Sequence, residues 1–240
     1  MTHLLIIDSN TPDINAAHRA AGRGIEGDNY ARVMRGIDAG ITCDVIEPYA
    51  RMVRVEHEPY DGVICTGSAV AWCVDDPRTE PLAETMRDVF AQGIPTFGSC
   101  NGMQLAAQIL GGMCGAAPLG REDGTAHDIA LSPEGKTHPM MAGRDDTYHA
   151  PCLHRDQVQL LPKWASLLAG NGHSLVQAFA YDHDGVIFWG TQYHPEYAPD
   201  YLSALLSSKG LTATPPDDDP AYRQIELVNW LKMVQSNKYA

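Results

Sequence analysis

In the first half of the chain, apolar residues fall in short unbroken runs, separated by stretches in which they recur at helical spacing. Residues 3–8 (His-Leu-Leu-Ile-Ile-Asp) carry no polar position from Leu4 to Ile7, the pattern of a strand covered on both faces. Residues 28–39 then read as a helix stopped by Gly40, 41–46 as a second strand and 62–65 as a third. A helix over 81–92 is closed by Gly93, and residues 95–99 form a strand that runs directly into a helix over 101–110. This alternation predicts an α/β fold, a mostly parallel sheet with helices on both faces. In such a sheet ligands bind at the carboxyl ends of the strands.

The second half changes character. Residues 127–131, 175–181 and 186–193 read as strands, the last two joined through Asp182-His183-Asp184-Gly185 as a hairpin, so an antiparallel edge is expected. Asp219-Pro220 is a helix cap and first turn, and Ile225, Val228 and Leu231 keep helical spacing through residue 235. Two connections are longer than the pattern needs. Residues 9–27 hold Asn15, His18, Arg19 and Arg23, and residues 197–219 hold Tyr197 and Tyr201. Long connections in compact domains are usually functional or disordered. Residues 197–205 read as a specificity segment, and 212–219 as a solvated loop.

The candidate chemistry begins with one cysteine. Cys100 lies between the strand ending at Ser99 and the helix beginning at Asn101, with Gly98 and Gly102 on either side. A residue in so tight a strand-to-helix turn projects its side chain into solvent, and a Cβ two positions before or after would collide with it. The helix N-terminus points at the sulfur and favours the nucleophilic thiolate. Cys43, Cys65, Cys73, Cys114 and Cys152 all lack glycine at both flanking positions and read as structural.

A cysteine nucleophile needs an imidazole for proton transfer and an acid to orient it. Of ten histidines, His194 alone explains itself: it ends an apolar strand and is followed by Pro195 and Glu196. Proline extends the residue before it, and residues two apart in extended chain project to one side, which puts Glu196 near His194.

The pairing of Gly98-x-Cys100-x-Gly102-x-Gln104 with Gln192-Tyr193-His194-Pro195-Glu196 resembles the class I glutamine amidotransferase family. Ile64-Cys65-Thr66-Gly67-Ser68-Ala69-Val70 is similar to that family's oxyanion loop, with Thr66-Gly67-Ser68 in place of the usual Gly-Gly-Pro. Gly111-Gly112 and Glu122-Asp123-Gly124 resemble the motif after the elbow. His154-Arg155-Asp156-Gln157-Val158 resembles a Ser-His-Gly-Asp-x-Val segment, with Leu153 where serine is common. The resemblance implies a flavodoxin-like doubly wound sheet and hydrolysis of a γ-glutamyl amide through a cysteine thioester. It implies a triad of Cys100, His194 and Glu196, an oxyanion hole of the Gly67 and Asn101 N–H groups, and Gln104 and His154 as holders of the glutamyl portion. Either a free-standing hydrolase or the glutaminase partner of a separate synthetase fits these motifs. A non-catalytic regulatory module fits them less well, since all three triad positions are intact.

Composition narrows the remaining classes. With 240 residues, 44% of them hydrophobic, the chain can bury a core as a single domain over 1–240. Thirty acidic against 17 basic residues leave a formal charge of −13, which argues against a nucleic-acid partner. No apolar run reaches membrane-spanning length, and residues 4–7 lack the basic start of a signal peptide. Six cysteines without paired spacing read as reduced thiols of a cytoplasmic protein. His127, His138, His149 and His154 show no helical pair spacing and no Cys-x-x-Cys, so no metal is expected. The absence of a phosphate-cradling glycine motif leaves no cofactor to expect either.

Overall fold

Strand β1 (His3–Ile7) lies inside the sheet with Leu4 to Ile7 almost fully buried, and its alternate side chains enter two different cores. The computed structural model describes residues 1–55, 60–216 and 219–237. In chain order β1 is followed by helices α1 (Pro12–Ala20) and α2 (Glu26–Ile37), then β2 (Thr42–Ile46) and β3 (Gly62–Cys65). Next come α3 (Glu80–Ala91), β4 (Thr96–Ser99), α4 (Asn101–Ile109), β5 (Met113–Ala116) and β6 (Glu122–Leu131). Strands β7 (Thr147–His154), β8 (Asp156–Leu160), β9 (Ala165–Gly170), β10 (Ala178–His183) and β11 (Val186–Thr191) lead to α5 (Pro199–Ser208), α6 (Pro220–Arg223) and α7 (Ile225–Asn237).

The main sheet has the order β2-β1-β3-β4-β11-β10-β9-β6-β7, and β5 pairs with β8 in a separate ribbon. From β2 to β11 every pairing is parallel; from β11 to β7 every pairing is antiparallel. Leu4, Ile6, Ile64 and Phe97 pack on one face against Tyr30 and Met34 of α2 and Leu227, Trp230 and Val234 of α7. Leu5, Ile7, Val63 and Cys65 pack on the other face against Leu82 and Met86 of α3 and Met103 and Leu105 of α4. The strands are apolar without alternation because each face has its own helix layer. The mostly parallel α/β sheet with an antiparallel edge is the fold class read from the pattern.

Several elements differ from that reading. Residues 9–27 fold partly into α1, whose N-cap Thr11 accepts a hydrogen bond from the Ile14 amide. With Asn15 its one buried residue, α1 has no apolar stripe to announce it. Residues 199–208 form α5, opened by a proline in its first turn. Strand β6 begins at Glu122 rather than at 127. Gly124, with φ +83°, interrupts the apolar pattern because a Cβ there would sit 2.7 Å from the Thr214 carbonyl oxygen. Strand β10 begins at Ala178 rather than at 175, where Leu175 is exposed. Strands β5 and β8 pair with each other across the intervening β6 and β7, while β7 and β9 pair with the strands next to them in the chain, β6 and β10, without a long apolar run of their own. Part of the 212–219 segment lies outside the described residues. Among the described residues no helix is long and apolar enough to cross a membrane.

Candidate active site

Strand β4 carries the chain into the site. Cys100 follows it with φ 48° and ψ −105°, a conformation that costs a non-glycine residue on the order of 1–3 kcal/mol. Its amide donates to the Thr191 carbonyl at 2.7 Å and the Gly102 amide to the Thr66 carbonyl at 3.1 Å, which pins the turn between β11 and β3. The flanking glycines are forced by contact. A Cβ at Gly102 would lie 2.4 Å from the Cys65 carbonyl oxygen, and one at Gly98 2.8 Å from the Gly102 carbonyl carbon.

The structure brings His194 to Cys100. Cys100 and His194 line one cavity of about 430 Å³, and the Cys100 thiol lies 3.9 Å from the Leu153 carbonyl oxygen, to which it donates. His194 Nδ1 lies 2.7 Å from Glu196 Oε1, which leaves the second ring nitrogen free of this carboxylate. Imidazole and carboxylate are both almost completely buried. Burial alone lowers the imidazole, but the Glu196 charge, the nearby Cys100 thiol and the hydrogen bond to Glu196 outweigh it and push His194 up to about 10. Ser99 Oγ also donates to Glu196 Oε1 at 3.1 Å and accepts from the Tyr30 hydroxyl at 2.8 Å. This relay fixes the carboxylate from below. Nothing in the sequence marks Tyr30 for it, since its helix face reads as ordinary core.

Gly67 follows β3 at the same sheet edge. A Cβ there would stand 2.7 Å from His194 Cε1 and 3.7 Å from Cys100 Cβ, so this position must be glycine for the thiol and imidazole to meet. Asn101 is the first residue of α4, where the N–H has no partner within the helix. The loop after Gly67 is held by Asn10 Oδ1, which accepts from the Ala69 amide at 2.7 Å and the Ser68 hydroxyl at 3.3 Å.

Gln104 and His154 both line the cavity, and both are heavily engaged within the protein. The Gln104 amide nitrogen donates to the Asp156 carbonyl at 2.7 Å and to Gln192 Oε1 at 3.1 Å. His154 Nδ1 lies 3.1 Å from the Asp156 carbonyl oxygen and Nε2 2.8 Å from Glu122 Oε2. His173 joins this pair, so that ligand atoms of Glu122, His154 and His173 all fall within 4.8 Å of one another. The grouping crosses from β6 to β7 and to the turn after β9, which is why helical pair spacing does not show it. Gln177 also donates to Glu122 Oε2 at 2.8 Å, making the cluster an internal hydrogen-bond network.

The two long connections meet at the opposite wall. The Tyr197 ring stacks on the His194 imidazole, and its hydroxyl donates to Glu26 Oε2 at 3.1 Å. Tyr201 donates to Glu26 Oε1 at 3.2 Å. Burial, followed by repulsion from Glu196, pushes Glu26 up to about 7. The first turn of α2, which contains Glu26, is fixed by buried Asp8. Its carboxylate accepts from the Gly27 amide at 2.8 Å and from Asn15 Nδ2 at 3.0 Å. Sequence reasoning flagged both connections but not Glu26, because a lone glutamate before a helix reads as a first-turn acid.

The other cysteines differ in setting. All six are free, and burial pushes the Cys65, Cys114 and Cys152 thiols well up, which keeps them protonated and inert.

The profile of the family "Glutamine amidotransferase class-I" matches residues 29–209. The chain belongs to this family. Among curated relatives of this class I amidotransferase chain, a gamma-glutamyl-L-1-hydroxyisopropylamide hydrolase of a Pseudomonas species is 29% identical over 198 residues. That match covers 80% of this chain and 67% of the relative. The glutamine-hydrolyzing GMP synthase of Thermomicrobium roseum is 29% identical over 182 residues, 75% of this chain but 32% of that one, so the chain spans about a third of that relative. Two solved structures share the fold. A glutamine amidotransferase from Thermotoga maritima superposes with a TM-score of 0.65 at 17% identity, covering 97% of both chains. One from Methylobacillus flagellatus gives 0.67 at 19% identity, covering 98% of this chain and 92% of that one.

Proposed function

We propose that this amidotransferase-family chain hydrolyses a γ-glutamyl amide, glutamine or a γ-glutamylated amine, through a thioester on Cys100. The carrying observation is that Cys100, in a strained elbow, shares one cavity with an imidazole whose Nδ1 is held by a buried carboxylate, with Gly67 in contact with both. The name of the Pseudomonas relative, a γ-glutamyl amide hydrolase, supports the same substrate class.

In this reading the Cys100 thiolate attacks the side-chain carbonyl carbon. The oxyanion is received by the Gly67 and Asn101 N–H groups; a donor of this kind lowers the barrier by about 3 kcal/mol. His194, held protonated beside Glu196, gives its proton to the departing nitrogen as the C–N bond breaks. It then takes a proton from water, whose oxygen attacks the thioester, and glutamate leaves as Cys100 is regenerated. Gln104 and the segment around His154 hold the amino-acid end of the glutamyl group. Because both His154 ring nitrogens face internal acceptors, its part is to shape that wall.

The test is release of free glutamate from a panel of γ-glutamyl amides including glutamine, with Cys100→Ala as control. Mass spectrometry of the quenched native enzyme is expected to show the glutamyl adduct on Cys100. Equal glutamate release by Cys100→Ala overturns the proposal. A second reading, a glutaminase subunit delivering ammonia to a separate synthetase, is favoured by the GMP synthase relatives, of which this chain matches about a third. Glutamine hydrolysis that rises on adding a co-purified synthetase decides for it.

A further inference from the structure

The cavity that holds Cys100 and His194 is also lined by basic side chains. Arg23, Arg121, Arg155 and Lys209 line it together with His18, in a chain whose formal charge is −13. Two of these cations are neutralised locally: Arg121 forks onto Asp123 at 2.9 and 3.0 Å, and Arg155 pairs with Asp156 at 2.5 Å. Arg23 and Lys209 have no carboxylate within ion-pair distance among the described residues. Arg23 Nη1 donates to the Ser208 hydroxyl at 2.7 Å, and its Nε is buried with no partner. Desolvation, then repulsion from Arg121 and Arg23, holds the Lys209 ammonium below its ordinary value. Burial, then repulsion from Arg23 and Lys209, lowers His18. Glu26 and Asp123 offset part of this repulsion at Lys209 without pairing with it, and like charges left around an open space suit an anionic ligand.

The position of these cations within the site decides which part of a substrate meets them. The leaving nitrogen must lie beside the imidazole that protonates it, so the leaving amine extends past His194. A continuous set of contacts runs that way, from His194 to the stacked Tyr197 ring and from the Tyr197 hydroxyl to Glu26. Three residues before Glu26 is Arg23, tied to Ser208 at the end of α5 next to Lys209. In the reading above the glutamyl portion is held by Gln104 and the segment around His154, which line the same cavity.

We infer that the leaving amine carries its own carboxylate, received by Arg23 and Lys209, so that the substrate class is a γ-glutamylated amino acid. This inference rests on the γ-glutamyl-amide reading above and narrows it. The Arg23 fork, with its unpartnered Nε, offers the planar donor set that suits a carboxylate, and Lys209 adds a mobile point charge at the mouth. The ammonia released from glutamine has no group to reach either.

The experiment compares kcat/KM of the native protein for three γ-glutamyl amides of equal length, with β-alanine, propylamine and 1,3-diaminopropane as leaving amines. The anionic β-alanine amide is expected to be preferred over the neutral one by about tenfold or more, the worth of a charge-assisted contact. In Lys209→Glu combined with Arg23→Gln the order is expected to invert, with the diaminopropane amide becoming the best of the three. This gain of activity also shows that the variant is folded. Equal kcat/KM for all three amides overturns the inference, as does a variant that slows all three alike, since the cations then serve the glutamyl α-carboxylate. Hydrolysis without charge preference defeats this inference alone. No glutamate from any amide, glutamine included, defeats the underlying reading as well.

Discussion

The His194 imidazole lies flat against the Tyr197 phenol, ring centroids 4.0 Å apart and planes 3° from parallel. An imidazolium stacked on an aromatic face is held both by dispersion and by attraction to the ring's π-density. Tyr197 is thus a positioning residue, clamping the imidazole on the face that Gly67 leaves open from the other side. Tyr197→Phe is expected to keep most of kcat, and Tyr197→Ala to lower it by about tenfold to a hundredfold through misplacement of the ring. Steady-state kinetics with circular dichroism as a folding control checks the contrast; equal rates for the two variants refute the clamp.

The strained backbone of Cys100 gives a stability prediction separate from chemistry. At φ 48° a Cβ is unwelcome, so Cys100→Gly is expected to unfold at higher denaturant than Cys100→Ala, by about 1 kcal/mol, though both lack the nucleophile. Equilibrium urea unfolding of the two variants decides it. A glycine variant less stable than the alanine one shows that the turn is not strained.

Glu26 sets a pH dependence of stability. Its ordinary value is 4.5, and in the folded protein burial and then Glu196 push it up to about 7. Between these values the native state holds a proton that the unfolded chain has lost, so stability from this group falls as pH rises from 4.5 to 7 and is flat above. Glu26→Gln removes the penalty. Its unfolding free energy relative to the native chain is expected to rise across that window by up to about 3 kcal/mol. A pH-independent difference refutes the assignment.

Glu226 and Arg144 form a buried pair, with Arg144 Nε 2.6 Å from Oε1 and Nη2 2.8 Å from Oε2, and the Tyr193 hydroxyl donates to the same carboxylate at 2.8 Å. The guanidinium lies between the Tyr148 and Tyr222 rings. Glu226→Ala leaves a buried cation without its counter-charge and is expected to cost about 3–5 kcal/mol. Thermal unfolding of this variant beside Glu226→Ala combined with Arg144→Met tests it, since the double variant is expected to recover part of the loss.

Much of the fold and part of the site were legible in the sequence because they rest on local rules. Buried parallel strands such as Leu4 to Ile7 leave uninterrupted apolar runs, and the elbow around Cys100 needs glycine on both sides wherever it occurs. His194 and Glu196 were readable because Pro195 fixes the two-residue geometry between them. Strands β5 and β8 were not legible because each finds its partner far along the chain, and β7 and β9 because neither carries an unbroken apolar run or a clean alternation. Helix α1 was missed for want of an apolar stripe.

What the sequence determined by itself was therefore the set of short-range geometries: which cysteine sits in a strained turn, which acid faces which imidazole, and where the carboxyl edge of the sheet lies. Only the tertiary structure decided which side chains face one another across the cleft. It set Tyr197 on His194, hung Glu26 between two tyrosines, and brought Arg23 and Lys209 to the same cavity with no carboxylate within ion-pair distance among the described residues. The physical reason is range. Backbone sterics and strand or helix periodicity act over a few residues, whereas charge and packing across a cavity depend on distances that exist only after the chain has folded.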